Sequence, residues 1–458
     1  MSKAREVKNL TTGHIGGHIT RLAIPILGTS LLQLLYSFTD MAWLGRLSGE
    51  SVAAAGAASV FIWLANSFSL VNKVGSEVTV ANAIGRGELD DAATYASHTS
   101  TIAFIMGVGM MLIYGLLAGP LIGFYQLEPH IHQMGVEYLR IAALGMPLIF
   151  MMVSYTGTYN ASGHSKIPFI ISTIGLVLNM VLDPIFIFLL DLGIKGAACA
   201  TVLSQAIGLT LFLIQILKRD KLLGGIQIFT KLQGKISSTI LKLGMPVAIM
   251  NSLFALINMA LGRIASQFGG YIGVMTLTTG GQLEGICWNT AQGFSTALSS
   301  FVSQNFGAGK RDRIISAFRF TLKLALGVGL FGFFFYFFWG ESLFRLIVPE
   351  EAAYKAGATY LKIQAIAQIF SMLEITSQGF FYGIRRTLPP SLISMVGNLL
   401  RIPFALILLP IFSDIIVLWW IISISSILKG AVAFAWYFRE RKRLRQEMLA
   451  EAISTNNQ

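Results

Sequence analysis

The sequence predicts an all-α polytopic membrane protein, with twelve transmembrane helices in two pseudo-symmetric six-helix bundles. Three observations carry that prediction. Of 458 residues 54% are hydrophobic and only 12% charged, about half the charged share of an ordinary soluble domain, and the mean hydropathy is +0.67. Apolar windows of about 20 residues, long enough at 1.5 Å rise to cross a hydrocarbon core of roughly 30 Å, recur twelve times. They lie near 21–45, 52–84, 94–119, 134–160, 168–190, 194–217, 242–266, 272–305, 316–345, 357–382, 389–412 and 415–438. The second half of the chain also echoes the first at a constant offset.

Taken in order, the first twenty residues are polar and hold no apolar h-region, so no cleavable signal peptide is expected and the first span serves as its own insertion signal. His14 and His18 within this leader could share a helix face, but a solvated leader is the simpler reading. The first span carries Pro25, which cannot donate an i→i−4 bond and is expected to kink the helix. It also carries Ser30, Gln33, Ser37 and Asp40 at helical spacing, with Tyr36 one turn before the aspartate. An ionisable group at membrane depth is costly and marks an ion or substrate path; the alternative places Asp40 among headgroups near the end of the span. In the second span Lys73 and Glu77 stand at i, i+4 and are expected to neutralise one another.

The fifth span holds Asn179 and Asp183 one turn apart, followed by Pro184. The proline leaves an upstream carbonyl unpaired, so a carboxylate, an amide and freed backbone oxygens make a polar notch able to accept a proton or ligate a small hard cation. Cys199 and Cys287 lie in apolar spans and read as small buried hydrophobes with no disulfide between them.

The stretch 218–241 is the one long basic connection, and the residues after it repeat those before it at an offset near 222 positions. RLAIP at 21–25 returns as KLGMP; Val80, Gly85, Gly87 and Asp90 return as Val302, Gly307, Gly309 and Asp312; YLRI at 138–141 returns as YLKI. Gly157, Pro168 and Gly175 return as Gly379, Pro390 and Gly397. The repeat divides the chain into two homologous halves of six helices: a lobe at 1–217, a linker at 218–241, a second lobe at 242–440 and a tail at 441–458. Six is even, so both halves enter the membrane alike, the parallel-repeat plan of secondary transporters.

The net charge is +12, but the basic residues fall in short clusters between apolar spans and not along one surface, which argues for membrane topology over nucleic-acid binding. They crowd into the amino-terminal segment through Arg21, Arg86, Lys166, the linker, 307–323, Arg385 with Arg386 and 439–445; the opposite side holds only Arg46, Lys195, Arg345 and Lys355. Both termini and the linker are therefore expected in the cytoplasm.

In the second lobe the repeat partner of Asn179 is Arg401, and Ala405 stands where Asp183 would, so the acidic notch is confined to the first. Glu284, Glu374, Gln378 and Arg401 are candidate contacts for substrate or a second cation, with Trp288 one turn from Glu284; either glutamate could instead pair with Arg263 or Arg401. Asn251 and Asn258 suit interhelical hydrogen bonding, and the 32 Phe and 17 Met residues suit packing or lipid contact. GAGKR at 307–311 lacks the K-[ST] ending of a P-loop, no HExxH, GxSxG or CxxC occurs, and the six histidines fall mostly in tails and loops without ligand partners. Neither an enzyme, nor a resident cofactor, nor an ATP-binding subunit is implied.

Pro25 with Asp40, the glycine-aspartate endings of the second and eighth spans, Asn179 with Asp183-Pro184 and the twofold six-helix repeat together resemble the multidrug and toxic compound extrusion (MATE) transporters over about residues 15–440. The resemblance implies a V-shaped pair of lobes in a bacterial plasma membrane, exporting organic cations and other amphipathic compounds against an inward flow of protons or sodium. It implies Asp40 and Asp183 as the coupling pair, with Tyr36, Tyr138, Asn179 and Thr201 as hydrogen-bonding companions; Na+ at Asp40, Asp183 and Asn179 is the alternative to H+. The NorM-like branch has a glutamate in the seventh span where this chain has none, although Glu374 resembles that branch's acid in the tenth, so a DinF-like, proton-coupled member is the closer expectation. A lipid-linked oligosaccharide flippase of the same superfamily is the alternative function; twelve spans and the acidic notch argue against it.

Overall fold

The computed structural model describes residues 7–219, 225–347 and 350–456; the side chains of residues 34, 37, 38, 41, 218, 219 and 448–456 fall outside it as well, Ser37 of the polar stripe among them. Among the described residues there are helices and no strands. In order they are α1 (Ile15–Leu47), α2 (Gly49–Arg86), α3 (Leu89–Gly123), α4 (Pro129–Leu144), α5 (Met146–Ala161), α6 (Lys166–Pro184), α7 (Gly193–Arg219) and α8 (Gly234–Gly307). The second half continues with α9 (Arg311–Ile347), α10 (Glu351–Gly383), α11 (Leu388–Leu399), α12 (Arg401–Phe412) and α13 (Ile416–Asn456).

Among the described residues nine of these stretches are long and apolar enough to cross a membrane, or ten if the α4–α5 pair is one span. The difference from the twelve expected windows has physical causes. The 74-residue α8 contains two windows joined at Gly270, whose φ of 58° and ψ of −150° suit glycine alone. Helix α10, which carries Glu351, Lys355, Lys362 and Glu374 along its length, is not among the nine. The expected fourth span is not one straight helix either. It breaks at Gly145, ahead of Pro147, and α4 and α5 meet at 47°.

The chain forms two compact units, Met1–Thr12 with Arg21–Ile249, and Gly13–Thr20 with Met250–Gln458. Alanines at the first unit's interior, among them Ala54, Ala58, Ala81 and Ala103, are fully buried with Phe150, Tyr155 and Phe212, so small residues bring helix backbones close while aromatic rings fill the remaining volume. The 222-residue repeat reappears as matching contacts inside each unit. Tyr114 Oη donates to Phe61 O at 2.7 Å, and Tyr336 Oη to Leu283 O at 2.7 Å. A Cβ on Gly157 would strike Lys73 O, and one on Gly379 would strike Ser295 O. Gly87 and Gly309 both close their turns at positive φ, 80° and 71°.

Three expectations are corrected, and the trailing part of the linker gains a structure. The leader is not simply solvated: α1 begins at Ile15, and Leu10 and Ile19 are buried. The trailing part of the linker, 225–233, is strapped to α3, while 220–224 lies outside the described residues. Ser97 Oγ and Thr101 Oγ1 accept from the amides of Gln227 and Thr230 at 2.9 and 3.0 Å, Ser100 Oγ donates to Ile228 O at 2.9 Å, and Phe229 packs edge-on to Phe104. His98 is not a loop residue: it is buried in α3, where Nε2 accepts from Gln233 N at 3.2 Å and Nδ1 faces Thr94 O at 2.9 Å. Cys199 is only half-buried, while Cys287 is buried beside Tyr336 Oη.

Candidate functional site

Four helices of the first unit bring the predicted notch together. Asn179 and Asp183 lie on α6, one turn apart, so the amide can reach its neighbour: Asn179 Nδ2 donates to Asp183 Oδ1 at 3.2 Å. The same amide nitrogen lies 3.3 Å from Thr201 Oγ1 on α7, and Thr201 Oγ1 lies 3.5 Å from Tyr36 Oη on α1. Thr201 Oγ1 in turn donates to Ala197 O at 3.1 Å. Asp183 is fully buried, Asn179 nearly so, and Asp40 half-buried one turn beyond Tyr36. Tyr138, from α4, lies within electrostatic reach of Asp40, Tyr36 and Asp183, and the two carboxyls feel one another's charge.

Pro184 shapes the floor of the notch. It has no amide proton, and directly after it the helix widens into a π-helical turn, Ile185–Leu189, closed by Leu190 N donating to Ile185 O at 2.9 Å. Pro25 lies inside α1, which runs unbroken across it; Thr29 and Ser30 hydroxyls donate back to the carbonyls of Pro25 and Ile26.

The electrostatics of the notch are unbalanced. Asp40 Oδ1, Asp183 Oδ2 and Asn179 Oδ1 are buried acceptors with no hydrogen-bond partner, and among the described residues no cationic side chain pairs with either carboxyl. Two carboxylates in one low-dielectric pocket repel each other and lose hydration worth several kcal/mol each, so the pocket calls for a proton or a small cation.

The second unit answers with a different chemistry. Glu374, expected to pair with Arg263 or Arg401 if structural, pairs instead with Lys429 of α13, Nζ to Oε2 3.2 Å, while Arg263 is exposed. Ser394 Oγ donates to the other oxygen of Glu374 and accepts from Gln378 Nε2 at 3.1 Å. Glu284 accepts from Tyr360 Oη at 2.6 Å and from Gln368 Nε2 at 3.0 Å. Arg401 is buried, its guanidinium donating to Ser425 and Ser426 hydroxyls at 3.1 and 3.0 Å within reach of both glutamates' charge. One buried and one half-buried carboxyl thus share this interior with two buried cations. Trp288 points outward, 41% exposed, and takes no part in this network.

Lys429, Tyr360, Gln368 and Ser394 escaped the reading of the sequence. The signals were present: Lys429 is the one basic residue between positions 415 and 438, and Tyr360 is the repeat partner of Tyr138.

Long apolar helices and two internally repeated units define the class: a multi-pass helical membrane protein. The chain belongs to the MatE family, whose model matches residues 25–185 and 246–407, one match in each half. It is 27% identical over 431 residues to a probable multidrug resistance protein NorM of Thermotoga maritima, covering 90% of this chain and 89% of that one. To the probable multidrug resistance protein YpnP of Bacillus subtilis it is 24% identical, covering 86% and 89%. The fold is shared with a crystal structure of MATE in complex with MaL6, with a TM-score of 0.90 at 22% identity over 95% of this chain and 98% of the other.

Proposed function

We propose that the chain is a cation-coupled multidrug efflux antiporter of a bacterial plasma membrane, exporting organic cations and amphipathic compounds in exchange for H+, with Na+ as the competing coupling ion. The observation that carries the reading is the trio of unpartnered buried acceptors, Asp40 Oδ1, Asp183 Oδ2 and Asn179 Oδ1, with no cation beside them among the described residues. Family membership and the relatives named as multidrug resistance proteins supply the transport class. Asp40 and Asp183 take up the coupling ion, Asn179 and Thr201 hold Asp183 in place, and Tyr36 and Tyr138 complete the wall. Uptake of one proton removes the repulsion between the carboxyls and lets α1, which bears Asp40 downstream of Pro25, repack against α6 and α7. The ion drives exchange only by its differential affinity for the two states.

The twelve spans, the lobes at 1–217 and 242–440, the cytoplasmic linker and the cytoplasmic termini belong to the same reading, supported by the repeat and by the distribution of Lys and Arg. The DinF-like assignment rests on the missing acid of the seventh span alone. Proteoliposomes loaded with a fluorescent cation test the function: imposed pH and sodium gradients are applied separately to the parent and to Asp40→Asn and Asp183→Asn. Export driven by the pH gradient in the parent and lost in both variants is expected. Undiminished export in both variants removes the coupling assignment, and export driven by sodium alone at fixed pH replaces H+ by Na+.

A further inference from the structure

A second polar constellation lies in the other unit, at the end that carries the basic loops, and the notch chemistry does not use it. Tyr437 of α13 is 2% exposed, its ring stacked on Phe318 of α9 at 3.7 Å and edge-on to Phe380 of α10 at 5.0 Å. Its hydroxyl is buried without a hydrogen-bond partner, and so is Nε of Arg441 one turn further along. The charges of Arg441, Arg319 and Arg445 act on that hydroxyl from two helices. Arg441 and Arg445 come after Tyr437 at i+4 and i+8, and Arg319 is the neighbour of the stacked Phe318.

Three guanidiniums whose charges all reach one orphaned hydroxyl make a positive patch that attracts an anion. The carboxylates of this region are engaged elsewhere: Glu440 with Arg386 and Arg443, Glu447 with Arg311 and Arg443. Guanidinium forks match the oxygens of a phosphate diester, and a tyrosine hydroxyl can donate to a third. The surface leading away from the arginines is apolar. Phe434, Phe438, Arg441 and Arg445 fall on one helix stripe, with Phe438 48% exposed and packed edge-on to Phe434 at 4.8 Å.

We infer that Arg319, Arg441, Arg445 and the Tyr437 hydroxyl bind the phosphate of an anionic phospholipid, whose acyl chain lies along Phe438 and Phe434. The aromatic stripe favours a lipid over a free phosphate, which would have no use for it. The inference is independent of the coupling ion and of the exported compound.

The test uses the full-length protein in detergent, titrated with phosphatidylglycerol and followed by native mass spectrometry and thermal unfolding. The parent is expected to retain one phosphatidylglycerol and to unfold at a higher temperature with it. Phosphatidylcholine is expected to do neither. Arg441→Gln with Arg445→Gln should weaken retention about tenfold or more. Tyr437→Phe keeps the ring stack and loses only the hydroxyl, so it weakens retention without unfolding the protein and carries the test should the arginine variant not fold. Arg439→Gln with Lys442→Gln, on the same helix, should leave retention unchanged. Equal loss in that control, unchanged retention in both site variants, equal retention of phosphatidylcholine, or displacement of the lipid by inorganic phosphate at matched concentration would each overturn the assignment.

Discussion

Glu374 Oε2 and Lys429 Nζ lie 3.2 Å apart, each side chain only 9% exposed. With Arg401 and Glu284 nearby, the pair makes the second unit electrically balanced at a place where the first unit holds two carboxyls and, among the described residues, no cation. The asymmetry separates two roles that the repeat would otherwise have duplicated. One half holds two carboxyls with no cationic partner among the described residues, and the other pairs its buried charges with one another.

Breaking the balanced pair should therefore be strongly destabilising. Glu374→Gln or Lys429→Met alone leaves an uncompensated buried charge and is expected to lower stability by roughly 3–5 kcal/mol, whereas the two together should recover most of the loss. Denaturation in mixed micelles, run as a double-mutant cycle, measures it. Additive losses would show that the two side chains do not act as a pair.

The acidic notch should behave in the opposite way. Asp183→Asn removes a buried carboxyl that has no cationic partner among the described residues, so the protein is expected to unfold at the same temperature or higher, while pH-gradient-driven export falls at least about tenfold. Asn179→Leu keeps the carboxyl but removes the amide that holds it; export should fall and the thermal midpoint should drop. Transport assays paired with thermal unfolding separate the two. A destabilised Asp183→Asn with normal export would contradict the charge argument.

The helix crossings depend on glycine at two repeat-related positions. Gly157→Ala and Gly379→Ala drive a methyl into a neighbouring backbone carbonyl and should each cost about 1–3 kcal/mol. Gly109→Ala, whose Cβ would meet nothing within 4 Å, should be neutral or gain up to about 1 kcal/mol. Thermal unfolding of the three variants checks the order, and equal effects at all three sites would remove the close-approach explanation.

The strap on α3 is accessible to a simpler measurement. Ser97→Ala with Thr101→Val and His98→Leu withdraws the acceptors for the amides of Gln227, Thr230 and Gln233. Trypsin cleavage at Lys231 is then expected to accelerate severalfold, with little change in global unfolding. An unchanged cleavage rate would mean that the segment is held by Ile226 and Phe229 packing alone.

Much of the architecture was written in the residues themselves. Apolar windows of membrane length, the 222-residue echo and two acids in otherwise apolar spans are local or periodic features, and hydrophobic transfer and helix periodicity act on them without reference to distant parts of the chain. Hence Asp40, Asn179 and Asp183 could be named before their contacts were known, whereas Thr201 was named through the family resemblance alone. Tertiary structure decided which charges meet: that Glu374 faces Lys429 and not Arg263, that Glu284 takes its hydrogen bonds from Tyr360 and Gln368, that a basic linker partly lies down on α3, and that Tyr437 lies within reach of the charge of three arginines. Pairings of that kind join residues separated by tens to more than a hundred positions. The free energy of a buried charge depends on what surrounds it within a few ångströms, and spacing along the chain does not encode those surroundings.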